Sequence, residues 1–125
     1  MKICISACGK DPDSEVDPQF GRCNYFLVID PDAGSISSIK NPGSEASGGA
    51  GIKAAEAVVD AGGADVLLTG SLGGPNSFSV LSEAGIEIYS GVRGGTVSSS
   101  LREYQSGKLS PPLKSPNASS HSGMK

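Results

Sequence analysis

The second half of the chain repeats one arrangement, in which a glycine-rich loop leads into a helical pattern. The three loops are Gly48-Gly-Ala-Gly51, Gly70-Ser-Leu-Gly-Gly-Pro-Asn76 and Gly91-Val-Arg-Gly-Gly-Thr96. Short apolar runs at 65–69 and 86–89 separate them and have the length of buried strands. Strands that alternate with helices through short connections pair in parallel, with right-handed crossovers. This half of the chain is therefore predicted to be α/β, with each helix beginning in a glycine loop.

Local signals bound the three predicted helices. Pro75 suits the first turn of the second helix, and Thr96 is a good N-cap for the third. Each helix ends where a glycine can adopt the left-handed conformation. The three stop signals are Gly62-Gly63, Gly85 and Gly107.

The first third of the chain has a different pattern. Residues 2–8 alternate isoleucine with cysteine and serine, and residues 25–29 are apolar on both faces. A turn at 31–34 leads into a weaker strand at 35–40. Hairpin connections require antiparallel pairing. The predicted fold is thus α/β and three-layered: a mixed five-stranded sheet, formed by an antiparallel N-terminal meander and then a βαβα segment, with helices on its faces.

Length and composition limit the classes of protein. A chain of 125 residues with 37% hydrophobic residues supports one compact domain, which we place at 1–109. Residues 110–125 contain three prolines and little to bury, so they are expected to form a flexible C-terminal tail. No apolar run reaches the roughly 18 residues of a membrane span, and no secretory signal is recognisable. The net charge of −3 argues against nucleic-acid binding. We therefore expect a cytoplasmic protein without a membrane or nucleic-acid partner.

The glycine loops are expected to meet at one end of the sheet, where open α/β sheets bind their ligands. Each helix N-terminus presents unpaired amide groups and a partial positive charge, and the glycines let a ligand approach the backbone. The alternative is that the glycines only form tight turns. The first interpretation predicts an anion cradle formed by Gly21, Arg22, Gly49, Gly51, Gly73, Gly74, Asn76, Arg93, Gly95 and Thr96.

Three cysteines without a secretory signal indicate reduced thiols rather than disulfides. Cys4 lies within a strand and is expected in the core. Cys8 and Cys23 lie in glycine-flanked loops at the ligand end, and thiolates are soft metal ligands. His121, in the tail, is a further candidate metal ligand. Two thiolates cannot complete a four-cysteine cluster site, so a cluster bound here would arrive preassembled and be held partly by charge.

Other chemistry finds little support in the sequence. Residues 49–54 fit only a relaxed dinucleotide-binding pattern, and no P-loop sequence is present. The strand order resembles the ribonuclease H architecture, whose nucleases carry a carboxylate on the first strand for two-metal catalysis. Here the strand at 2–8 has none, and no histidine is placed to activate a serine. We expect a protein that is not an enzyme.

Several ordered motifs resemble one known family. They are Asp17-Pro-Gln-Phe-Gly-Arg-Cys-Asn-Tyr-Phe26, Gly48-Gly-Ala-Gly-Ile52, Thr69-Gly-Ser-Leu-Gly-Gly-Pro-Asn-Ser-Phe78 and Gly95-Thr96-Val97. Together they are similar to the dinitrogenase iron-molybdenum cofactor biosynthesis family over about residues 1–109. The resemblance implies a ribonuclease H-like fold without nuclease activity. It also implies binding, storage or delivery of iron-molybdenum cofactor or its iron-sulfur precursors, while some relatives hold a molybdenum-copper sulfide cluster. The position of Cys23 can be alanine among relatives.

Two hypotheses follow for residues 1–109. The first is a carrier of an anionic metal-sulfide cluster, either an iron-molybdenum-sulfur cluster or a related iron-sulfur or molybdenum-copper-sulfur cluster. Its partners would be the cluster and the apoprotein that synthesises or receives it. The second is a non-catalytic regulatory or adaptor domain that binds a phosphate-bearing small molecule or a partner protein. The sequence leaves open the metal, the client protein, the oligomeric state and the role of the tail.

Overall fold

The structure is a computed structural model that describes residues 1–60, 64–72, 75–92 and 94–114. The described residues form five strands and three α-helices. The strands are β1 (Ile3–Ala7), β2 (Tyr25–Asp30), β3 (Ser35–Lys40), β4 (Val66–Leu68) and β5 (Glu87–Tyr89). The helices are α1 (Ala50–Asp60), α2 (Pro75–Glu83) and α3 (Val97–Gln105), with short 3-10 turns at Phe20–Arg22 and Pro42–Glu45. The predicted stop at Gly62-Gly63 and the candidate site residues Gly73, Gly74, Arg93 and His121 lie outside the described residues.

The five strands form one mixed sheet in the order β3-β2-β1-β4-β5. The pairs β1 with β2 and β2 with β3 are antiparallel, whereas β1 with β4 and β4 with β5 are parallel. The central strand is β1, and all five of its residues are buried. Because the meander is antiparallel and the later strands are parallel, the end of β1, the start of β2 and the ends of β3, β4 and β5 lie on one edge of the sheet. The predicted α/β fold with a mixed five-stranded sheet is confirmed.

Alternating side chains of β1 enter two separate cores. Cys4 faces the first core, where α1 and α2 contribute Val58 and Leu81. Ile3 and Ile5 face the second core, to which α3 contributes Val97. Helices therefore cover both faces of the sheet, as the prediction of three layers requires. The ribonuclease H-like description of the fold stays a prediction.

The helix ends follow the signals read from the sequence. The Thr96 hydroxyl accepts a hydrogen bond from the Ser99 amide at 3.1 Å, and the Ser99 hydroxyl in turn accepts one from the Thr96 amide at 2.9 Å. This reciprocal cap fixes the start of α3. Gly85 and Gly107 have φ angles of 81° and 72° after α2 and α3. Both helices thus end in the left-handed glycine conformation that the sequence predicted.

Residues 110–114, at the start of the predicted tail, contact the sheet. The Leu113 amide donates to the Ile88 carbonyl at 2.8 Å, on the outer edge of β5. The Leu113 side chain packs against the first core. This part of the chain therefore adds buried contacts beyond the boundary placed at residue 109.

Within the described ranges, none of the helices is long and apolar enough to cross a membrane.

Candidate functional site

A hollow of about 460 Å³ lies between the N-termini of α1 and α2, at the edge of the sheet where ligands were expected. The 3-10 turn at Phe20–Arg22 closes one side, and the loop after β4 closes another. Its lining residues are Gln19, Phe20, Gly21, Arg22, Gly49, Ala50, Gly51, Ile52, Ser71, Leu72, Asn76 and Ser77.

The first turn of α1 presents free amide groups to this hollow. The Lys53 amide is the first amide of α1 that donates to a backbone carbonyl, that of Gly49 at 3.0 Å. In the part of the chain that the structure describes, no acceptor is bonded to the amides of Ala50, Gly51 or Ile52. Unpaired amides at a helix N-terminus bind anions, because they point outward and carry the positive end of the helix dipole.

The second helix N-terminus reaches the same hollow because α1 and α2 pack very closely. A Cβ atom at Gly51 would collide with the Ser77 hydroxyl, so only glycine allows this approach without displacing Ser77. Asn76 and Ser77, from the first turn of α2, therefore line the same hollow as Gly51. Two helix dipoles therefore point into one space.

Arg22 contributes a formal positive charge to the lining of the hollow. Its guanidinium donates to the Ala46 carbonyl at 2.5 Å and to the Gly43 carbonyl at 3.5 Å. Neither acceptor is charged, and no ion pair joins Arg22 to a carboxylate among the described residues. No aspartate or glutamate is among the described residues that line the hollow. The hollow is therefore electropositive.

Cys8, a predicted metal ligand, is not among the residues that line the hollow. Its side chain is exposed, and its thiol lies 3.9 Å from a carboxylate oxygen of Asp17. Partial desolvation and the negative charges of Asp17 and Glu15 raise the pKa of the Cys8 thiol. The thiol is therefore protonated at neutral pH, and a metal that bound it would have to displace the proton.

Cys23 is fully buried in the first core. Its thiol donates weakly to the Phe20 carbonyl at 3.5 Å, and the Asn41 side-chain nitrogen lies 3.7 Å from the sulfur. Burial raises the pKa of Cys23 to about 12. Cys4 is buried in the same core, as predicted, and burial raises its pKa as well. The described residues contain no group of three or more histidine, cysteine or carboxylate side chains that could hold a metal ion.

The N-terminus of α3 does not reach the hollow, although Gly95 and Thr96 were candidate site residues. The loop between β1 and β2 folds over it: the Val97 amide donates to the Ser14 carbonyl at 2.9 Å and the Ser98 amide to the Pro12 carbonyl at 3.0 Å. The next amide, of Ser99, is capped by Thr96. These donors are therefore already bonded. Of the three helix N-termini that were expected to meet at the site, the described residues place those of α1 and α2 at the hollow.

The structure thus brings together Gly21, Arg22, Gly49, Gly51 and Asn76 of the predicted set. It adds Gln19, Ser71 and Ser77, which were not among the predicted site residues. The missed residues are polar and follow or precede the named glycines in the chain, so proximity to the glycine loops was the available signal.

Solved structures of other proteins share this fold. The apo form of the orange protein from Desulfovibrio gigas is 36% identical, with a TM-score of 0.85, and the match covers 94% of this chain and 96% of that one. A NifB-like protein from Thermotoga is 30% identical, with a TM-score of 0.75, and the match covers 88% of this chain and 91% of that one. By sequence alone, the chain is also similar to a protein of unassigned function from Methanocaldococcus jannaschii, with 26% identity over 92 residues, which is 71% of this chain and 73% of that protein.

A match over most of the chain confirms the family resemblance of the sequence motifs. The sequence model of the family described as dinitrogenase iron-molybdenum cofactor matches residues 1–107. That range includes all five strands, all three helices and the described residues of the hollow. The chain belongs to the dinitrogenase iron-molybdenum cofactor family.

Proposed function

We propose that this protein binds an anionic metal-sulfide cluster in the hollow between α1 and α2, and stores or delivers it without changing it chemically. The observation that carries the proposal is the lining of the hollow: two helix N-termini and Arg22, with no carboxylate among the described lining residues. Each helix N-terminus is equivalent to roughly half a positive charge, so with Arg22 the hollow carries roughly two. That charge suits a multiply charged anion.

The size of the hollow also suits a compact cargo. Its volume of about 460 Å³ lies in the range of small-molecule sites, roughly 300–1,000 Å³. The side-chain amides of Gln19 and Asn76 and the hydroxyls of Ser71 and Ser77 can each donate a hydrogen bond to a bound anion. Donors arranged around an anion can bind sulfide or oxide ligands without a bond to the metal itself.

The thiols play a smaller part in this proposal. Cys8 is exposed and is therefore the more accessible candidate ligand, whereas Cys23 would have to leave the core to reach a metal. Both thiols are protonated at neutral pH, because their pKa values are raised. The first binding step is therefore electrostatic, and ligation by Cys8 would follow with loss of its proton.

The family supports a cluster as cargo, since its description names the iron-molybdenum cofactor. We propose an iron-molybdenum-sulfur cluster or a related molybdenum-copper or iron-sulfur cluster, with a cluster-synthesising or recipient apoprotein as partner. A cytoplasmic location would keep the thiols reduced. A carrier needs no catalytic residues, which agrees with the lack of any carboxylate on β1.

Anaerobic reconstitution tests this function. The protein is incubated with sulfide and with iron, molybdate or copper, and the desalted product is examined by metal analysis and visible absorption. We expect a coloured complex of constant stoichiometry. Arg22→Gln should lose most of it, whereas Arg102→Gln, the same change on the exposed surface of α3, should retain it. A colourless, metal-free product from folded protein would refute the proposal.

The same hollow gives a second candidate function, because phosphate groups also bind at helix N-termini. In that case the protein would be a regulatory or adaptor domain for a phosphate-bearing small molecule. Thermal-shift screening against nucleotides separates the two, since a ligand at a hundred times its dissociation constant adds about 2.7 kcal/mol of stability. A nucleotide that stabilises the protein and competes with the cluster would favour this second function.

A further inference from the structure

Asn41 is a buried polar side chain whose donors and acceptor are all engaged. Its side-chain nitrogen donates to the Cys23 carbonyl at 2.8 Å and to the Gly21 carbonyl at 3.1 Å. Its side-chain oxygen accepts from the Gly43 amide at 2.9 Å. One amide group therefore joins the chain segment at 21–23 to the segment at 41–43.

The two carbonyls that Asn41 holds are those on either side of Arg22. The guanidinium of Arg22 then donates to the carbonyls of Gly43 and Ala46, in the segment that begins at Asn41. Both the backbone and the charged end of Arg22 are thus fixed by residues 41–46. A long arginine side chain that is already ordered loses less conformational entropy when it binds an anion.

Asn41 also fixes the wall of the hollow that faces α1. A Cβ atom at Gly21 would lie 3.2 Å from the Gly51 amide nitrogen, so the backbone at Gly21 lies directly against the first turn of α1. The bond from Asn41 to the Gly21 carbonyl holds this contact. The cationic side chain and the free amides therefore keep a constant separation.

We propose that Asn41 is a positioning residue for the anion hollow, acting through Arg22. This inference rests on the proposed function, because it concerns how tightly the hollow binds an anion. A buried asparagine can also serve stability alone. The two roles differ in one respect: a role that acts through Arg22 disappears when Arg22 is replaced, whereas a purely structural role does not.

The test is a double-mutant cycle with Asn41→Ser and Arg22→Gln. Serine can still cap the Gly43 amide through its hydroxyl, but it cannot reach the carbonyls of Gly21 and Cys23. The matched control is Asn24→Ser, which removes an exposed asparagine whose amide donates to the Cys8 carbonyl. The probe is tetrathiomolybdate, a molybdenum-sulfide dianion, titrated calorimetrically under anaerobic conditions.

We expect Asn41→Ser to weaken binding of the probe by about five- to tenfold in the unaltered background and by less than about twofold in the Arg22→Gln background. Asn24→Ser should leave the affinity unchanged. Equal losses in both backgrounds, or no loss, would overturn the inference and leave the proposed function intact. If the unaltered protein bound no probe, the proposed function would fail and this inference with it.

A second measurement needs no change at Asn41. In the unaltered protein, the side-chain amide protons of Asn41 should exchange more slowly with solvent once the probe is bound, as followed by NMR. In Arg22→Gln the same protons should exchange at the same rate with and without the probe. A probe that binds without slowing this exchange would overturn the inference, whether or not Asn41→Ser folds.

Discussion

Raising the pH from 8 to 10 should destabilise the fold through its buried thiols, and Cys23→Ala should remove a defined part of that effect. Burial raises the pKa of Cys23 from 9.0 to about 12. In the unfolded chain the thiol loses its proton near the lower value, whereas in the folded protein it keeps it. The unfolded state therefore binds fewer protons between these pH values, and the free energy of unfolding falls as the pH rises.

The size of this effect follows from the shift. A shift of one pKa unit is worth somewhat more than 1 kcal/mol, so Cys23 alone should lower the free energy of unfolding by roughly 1 kcal/mol between pH 8 and pH 10. Cys4 contributes in the same direction, because burial raises its pKa as well. In Cys23→Ala the free energy of unfolding should fall by roughly 1 kcal/mol less over this pH range than in the unaltered protein.

Urea denaturation at pH 8 and pH 10, followed by circular dichroism, measures this difference. Cys8→Ala is the matched control, since Cys8 is exposed and should change the fall in stability far less. If the free energy of unfolding fell equally in Cys23→Ala and in the unaltered protein, the burial of Cys23 would be refuted. Cys23 would then be accessible as a metal ligand.

Three further substitutions test separate parts of the account. Asn76→Asp should stabilise α2 by about 0.3–1 kcal/mol and yet weaken binding of tetrathiomolybdate about tenfold, because the new charge lines the hollow. Its control, Gln105→Glu at an exposed position of α3, should leave calorimetric binding unchanged. Gly43→Ala places a Cβ atom 2.5 Å from a carbonyl oxygen of α1, so it should lower the free energy of unfolding, measured in urea, by roughly 1–3 kcal/mol. In its control, Gly48→Ala, the new Cβ atom meets nothing within 4 Å and should lower the free energy of unfolding far less. Leu113→Ala should cost about 1–2 kcal/mol in the same assay if residues 110–114 belong to the packed domain.

Much of the fold was predictable because its signals are local. A capping threonine, a helix-ending glycine and an apolar strand each act over a few neighbouring residues, and Thr96, Gly85 and Gly107 lie where those rules place them. The mixed sheet then followed from connection lengths. The edge of the sheet that holds the candidate site was predictable from the same connection lengths.

The details of the site were less predictable, because they depend on contacts distant in sequence. The loop at 12–16 bonds the first amides of α3, more than 80 residues later in the chain. No local signal distinguishes a helix N-terminus that such a loop covers from one that stays free. Residues 1–109 as a cluster-binding domain, and Cys8, Cys23 and His121 as metal ligands, stay predictions.

Two residues in loops are buried, although their local sequence is typical of the surface. Asn41 begins an Asn-Pro-Gly turn, a sequence that usually lies at the surface, yet the side chain is fully buried. Cys23, in a glycine-flanked loop, is likewise buried, because the 3-10 turn at Phe20–Arg22 rotates it into the core. Both positions depend on how two loops pack against each other.

The most direct test of the central claim is an NMR titration of the protein with tetrathiomolybdate under anaerobic conditions. We expect saturable binding of one anion, with the largest amide shifts at Ala50, Gly51, Ile52 and Ser77 and at the Arg22 side chain. Shifts centred on the N-terminus of α3, or no saturable shifts at all, would contradict it.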